Sequence, residues 1–117
     1  MREIKFRAWD KEIKKMGTPF TLEFAIEQEG YRTNGLIFMQ FTGLHDRNGK
    51  EIYENDLLKD KQGCVHQVVF ENGGFWARFP NGEHYMPTEE YRVIVGNIYE
   101  NDITTISECE NQIIIKP

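Results

Sequence analysis

Asn-Gly pairs punctuate this chain at 34–35, 48–49, 72–73 and 81–82. Each is a turn signal, because Asn and Gly tolerate the positive φ that tight hairpins demand. After the first pair come short runs rich in β-formers: Val65 to Phe70, Phe75 to Phe79 and Glu83 to Met86. Runs spaced about ten residues apart make a meander of the kind found in small barrels and sandwiches.

The N-terminal part fits the same pattern. Arg2 to Asp10 alternates, with Ile4, Phe6 and Ala8 on one face and Lys5, Arg7 and Trp9 on the other. Asp10 to Glu12 reads as a turn and Ile13 to Met16 as a returning strand. Leu36 to Phe41 is an apolar strand bounded by Asn34-Gly35 and Thr42-Gly43. Asn48-Gly49 predicts a type I′ hairpin turn, leading into an irregular strand from Ile52 to Lys59. Val93 to Tyr99 is a further strand, after one helical turn at Pro87 to Tyr91. Thr18-Pro19 signals a helix start and Gly30 a stop, which favours a short helix between them. Phe20, Leu22, Phe24 and Ile26 also alternate as a strand would. The tail ends in Ile113-Ile114-Ile115, either a last strand or an interface segment.

The length of 117 residues suits one domain, and 39% hydrophobic with 13% aromatic residues is a globular composition. The 19 acidic residues exceed the 14 basic ones, giving a net charge of −5. A nucleic-acid binder normally has the opposite excess, to neutralise phosphates. Lys11, Lys14 and Lys15 form a close basic group. No apolar run approaches the roughly 20 residues of a membrane span, and the first ten residues carry no secretory apolar region. The expected setting is therefore the cytoplasm, with Cys64 and Cys109 as free thiols.

Three segments resemble the YopX family of phage and prophage proteins: Phe6-Arg7-Ala8-Trp9-Asp10 with Lys14-Lys15-Met16; Gln40-Phe41-Thr42-Gly43-Leu44 with Asp46, Asn48-Gly49, Ile52-Tyr53-Glu54 and Asp56; and Val95 through Asn101. Gly43, Asn48, Gly49, Asp56, Gly96 and Asn97 are the structural motif residues. Relatives usually carry Gly where this chain has Asn55, a residue that also tolerates the left-handed bend. The resemblance implies a mainly β fold with a small SH3-like barrel in the C-terminal part and an N-terminal β-hairpin region with one short helix. The expected layout is one domain over 1–117. Residues 1–40 supply the N-terminal strands and helix, 41–101 the barrel portion, and 102–117 a tail that matches nothing. The resemblance also implies a homo-oligomer such as a trimer. It supplies no activity and no catalytic residue.

Read for chemistry, the residues favour binding over catalysis. Glu54-Asn55-Asp56 beside Tyr53 is where a cryptic enzyme would sit, but turn chemistry alone explains an Asp there. Cys64 and His66 share a strand face, yet a metal site needs about two more ligands, and no nucleophile signature surrounds either cysteine. Acidic pairs such as Glu89/Glu90 follow from the acid content. No cofactor and no metal is expected. The aromatics remain. Trp76 and Arg78 share a face of their strand, the pairing typical of interface anchors, with Trp9, Tyr53 and Tyr85 as further binding candidates. The expected function is a non-enzymatic accessory protein that binds itself or a host or phage protein. A single-stranded nucleic-acid binder that stacks bases on these aromatics is the alternative, set back by the acidic charge.

Overall fold

The computed structural model describes residues 3–21, 23–24, 35–60, 63–79, 84–85 and 92–101. These form two antiparallel sheets, and the protein is mainly β. The first sheet contains β1 (Lys5–Asp10), β2 (Lys15–Met16), β3 (Phe20–Thr21), β4 (Leu36–His45) and β5 (Glu51–Tyr53). Its order is β2-β1-β4-β5, and β3 pairs with β1 beyond the end of β2. The second contains β6 (Asp56–Lys59), β7 (Val65–Glu71), β8 (Gly74–Arg78), β9 (His84–Tyr85) and β10 (Val93–Asn97), ordered β10-β6-β7-β8-β9 and curled into a half-barrel. Ile52, Leu58 and Val68 pack together, with Leu44 and Ile94 against them, so both sheets contribute to one interior.

The turns differ in type from what the Asn-Gly signals suggest. Asn72 and Gly73 both have positive φ, 50° and 79°, and Glu71 pairs with Gly74. That is the two-residue type I′ hairpin. At 48–49 only Gly49 is left-handed, with φ 85°. The loop is longer there: Asp46 N donates to Lys50 O at 2.8 Å, and Gly49 N to Asp46 O at 3.0 Å. This is a type I turn closed by a glycine bulge. Asp46 decides it, because its Oδ1 accepts from Asn48 N (2.8 Å) and Lys50 N (2.9 Å). Its Oδ2 accepts from Ile94 N at 3.0 Å, and Arg47 N donates to Arg92 O, so the same turn ties β4–β5 to β10.

The expected strand from Ile52 to Lys59 is split by Glu54-Asn55, where the chain leaves one sheet for the other; Asn55 has φ 69°. The expected helix start at Thr18 also moves. Phe20 pairs with Phe6 across β3–β1, and their rings lie 6.1 Å apart. That cross-strand pairing draws Phe20-Thr21 into the sheet. The cap falls three residues later, where Thr21 Oγ1 accepts from the N–H of Phe24, and Glu23 and Phe24 are helical. Gly30, Asn81-Gly82, the turn at 87–91, Cys109 and the tail 102–117 lie outside the described residues. Among the described residues no helix is long and apolar enough to cross a membrane.

Three backbone N–H groups hold the Asp46 carboxylate. Burial works to raise its pKa, but those donors outweigh it and the net direction is down. Asp46→Ala should cost about 2–3 kcal/mol, the range for hydrogen bonds to a charged group, read as a lower urea midpoint at unchanged slope. Because the folded pKa is lowered, Asp46 contributes fully above the ordinary carboxylate range. Its contribution fades as pH falls below about 4, so wild type and variant should converge in stability there.

Candidate functional site

Two features stand out: a polar seam between the sheets and an aromatic outer face on the first sheet. The seam begins on β1. Lys5, Arg7 and Trp9, one face of that strand, turn toward residues that lead into or follow the second sheet. Arg7 Nη2 donates to Asp56 Oδ1 at 2.7 Å and to Glu54 O at 3.3 Å, and the guanidinium lies 4.9 Å from the centre of the Tyr53 ring. Asp56 Oδ2 accepts from Tyr53 N at 2.8 Å. Asp56 is 1% exposed, so both oxygens are taken up inside the protein. Burial pushes its pKa up, against the pull of Arg7 and the Tyr53 N–H. Tyr53 donates its hydroxyl to Glu51, which is also paired with Lys5; burial and Glu51 together keep the phenol protonated far into the alkaline range.

Asn55 extends the seam. Its N–H donates to Val68 O, its Nδ2 to Tyr99 Oη at 3.2 Å, and its Oδ1 accepts from Gln67 Nε2 at 3.1 Å. Tyr99 stacks on Trp9 at 5.6 Å. The third resemblance segment is a cap. Asn97 Oδ1 accepts from the N–H groups of Tyr99 and Glu100, Asn97 Nδ2 donates to Glu100 Oε1, and Asn101 Oδ1 accepts from Asn97 N. Gly96 lies against that Asn101 amide; a Cβ there would sit 2.1 Å from Oδ1. Gly43, at φ 88°, sits in a bulge of β4 that the Thr42 hydroxyl fills by donating to Ile52 O.

The binding candidates scatter. Trp9 and Tyr53 are buried, which corrects their assignment as surface contacts: both complete the seam. Trp76 is half-buried and donates Nε1 to Glu71 O at 2.8 Å; Arg78 reaches Glu71 and Gln67. This pair braces its own hairpin. Tyr85 lies in β9, in register with Ala77, and its side chain is outside the described residues.

Cys64 is buried with its sulfur in a disulfide, which corrects the expectation of a free thiol. His66 is 1% exposed and stacks on Phe79 at 4.2 Å. Its Nε2 is 3.3 Å from Asp60 Oδ2 but out of line for a hydrogen bond. Burial and the charge of Arg92 lower its pKa to about 4. Among the described residues no three metal-ligating side chains cluster.

The outer face lies on the other side of β1. Phe20 is 6.1 Å from Phe6, 6.2 Å from Phe24 and, edge-on, 6.2 Å from Phe38. Phe24 and Phe38 are 49% and 45% exposed, and Ile13 is 62% exposed. Beside them runs an open groove of about 730 Å³ with Ala8, Met16, Phe20, Phe24 and Leu36 among its apolar lining. Spacing places Phe38 opposite the core-facing Ile37 and Met39. The gathering of Phe20, Phe24 and Phe38 depends on β3 returning to β1, which the sequence does not announce.

The YopX protein family matches residues 21–104. The chain belongs to the YopX family. The fold of this YopX chain is similar to the crystal structure of protein EF1440 from Enterococcus faecalis, at 23% identity and a TM-score of 0.61, covering 86% of this chain and 96% of that one. At that identity the likeness concerns the fold alone. No curated protein matches.

Arg7→Met should destabilise the protein by about 3–5 kcal/mol by stranding the Asp56 carboxylate, and adding Asp56→Asn should recover a large part of the loss. Urea unfolding of the single and double variants measures both. The buried neutral His66 gives a second expectation. Its folded pKa lies below the unfolded value of 6.5, so the unfolded state binds the extra proton and stability falls as pH drops from 6.5 to about 4. The loss should total about 3 kcal/mol, and His66→Gln should remove this part of the pH dependence.

Proposed function

We propose that this YopX-family domain is a non-enzymatic protein-interaction module, an accessory protein of a phage or prophage. Its partner is a host or phage protein, or a second copy of itself in a homo-oligomer. The reading rests on the outer face of the first sheet, where Phe24 and Phe38 are half exposed around Phe20. Exposed aromatics in contact with one another mark interaction surfaces, because aromatic anchors carry much of the energy of protein interfaces. The curled second sheet, taken as an SH3-like barrel, serves as the support.

The elbow at 53–56 supports a structural role over catalysis. Asp56 is engaged on both oxygens, and Glu54 Oε1 accepts from Gln40 N at 2.8 Å. The groove is lined by other residues. Single-stranded nucleic acid would need a cationic track beside stacked aromatics, whereas Arg7 and Arg78 are both paired with carboxylates.

Phe24→Ser with Phe38→Ser should abolish association while leaving the unfolding midpoint nearly unchanged, since both side chains are already half in water. Trp76→Ala should do the reverse, lowering stability with association retained. Analytical ultracentrifugation and affinity capture with each variant separate the two. Association that survives the double Phe change would refute this surface.

A further inference from the structure

We propose that Asn72, at the tip of the β7–β8 hairpin, is a site of spontaneous covalent modification, losing its side-chain amide to become aspartate and isoaspartate. Asn-Gly is the dipeptide that favours this chemistry, because glycine has no side chain to hinder attack by its own nitrogen. The Gly73 nitrogen bonds to Asn72 Cγ and gives up its proton to water or hydroxide. The bond from Cγ to Nδ2 breaks, and ammonia leaves. Water then opens the cyclic imide at one of its carbonyls. Opening at Cγ gives aspartate. Opening at the main-chain carbonyl gives isoaspartate, in which the backbone runs through the side chain. Nothing is oxidised or reduced, and water is the co-reactant.

Two Asn-Gly pairs lie wholly among the described residues, and their surroundings differ. At 48–49 the Asn48 N–H donates to Asp46 Oδ1 at 2.8 Å. The Gly49 N–H, the group that must attack, donates to Asp46 O at 3.0 Å. The same buried carboxylate also holds the N–H of Lys50 at 2.9 Å. Cyclisation there must break hydrogen bonds, among them one to an ionised group.

At 72–73 both residues are exposed. Among the described residues neither has a hydrogen-bond partner. The pairing that closes the hairpin lies on either side, between Glu71 and Gly74, so the tip can rotate without breaking a bond of its own. Asn72 also sits at φ 50°, which a residue with a Cβ adopts at some cost, and rotation out of the turn recovers that cost. Steric access does not separate the two pairs, because a Cβ on either glycine would meet nothing within 4 Å. The hydrogen bonds do.

The product would be felt along the hairpin. Trp76 Nε1 donates to Glu71 O at 2.8 Å, and Arg78 Nη1 to Glu71 Oε2 at 3.2 Å. Both products place a new negative charge next to Glu71. Isoaspartate also adds a main-chain carbon to the turn, which then no longer has the type I′ geometry that sets Glu71 opposite Gly74.

The test ages the full chain in mildly alkaline buffer and locates the mass gain of amide loss by fragmenting its peptides in a mass spectrometer. The gain should accumulate at Asn72 about tenfold faster than at Asn48, the factor that follows when a hydrogen bond to a charged group must break. An isoaspartyl methyltransferase with a labelled methyl donor should label the aged peptide that carries residue 72. Asp46→Ala should raise the rate at Asn48 toward that at Asn72, while the Asn72 rate in the same sample stays as in the wild type and so reports that the fold is kept. Equal rates at the two sites in the wild type, faster loss at Asn48, or no mass gain at Asn72 would overturn the assignment.

Discussion

A carboxylate taken out of water must be met by donors or give up its charge. Asp56 stands at the first residue after the chain leaves one sheet for the other, and it is met by the Tyr53 N–H before the bend and by Arg7 from β1. Those two contacts fix the angle at which the second sheet leaves the first. A buried ion pair adds little net stability relative to an apolar replacement, but removing one partner costs several kcal/mol. The pair therefore acts mainly as a constraint on geometry. It penalises any arrangement of the two sheets in which Arg7 and Asp56 do not meet.

Asp46 does the corresponding work at the far end of β5. Its carboxylate joins the β4–β5 turn to Ile94 of β10, so the sheets are pinned at two places about one short strand apart. The apolar cluster of Ile52, Leu58 and Val68 lies on the strands between these pins. The pins supply direction and the cluster supplies the non-directional attraction.

Much of this was legible in the sequence, and the exceptions have physical causes. Strands at Leu36, Val65, Gly74 and Val93 follow from β-forming runs between turn residues. Which Asn-Gly pair makes the type I′ turn did not follow from the dipeptide. The Asp46 side chain, two residues before Asn48, competes for the turn's N–H groups and lengthens the loop. The Thr18-Pro19 cap lost to aromatic pairing with Phe6, a contact distant in sequence. Trp9 and Tyr53 looked like surface anchors because aromatic content alone cannot say which rings are covered. The alternation of β1 was clear, but not its sense: the face with Lys5, Arg7 and Trp9 turns inward because Glu51, Asp56 and Tyr99 wait there. The apolar face is the one left outside.

That inversion separates two jobs on a single strand. Odd positions of β1 hold the sheets together, and the even positions Phe6 and Ala8 lie under the outer aromatic face. A change at Phe38 or Phe24 removes little buried area and touches neither pin, so the folded state tolerates it. Such a scaffold can change its outer face without first regaining lost stability. Over many generations that face can be rewritten while the seam beneath it stays nearly fixed.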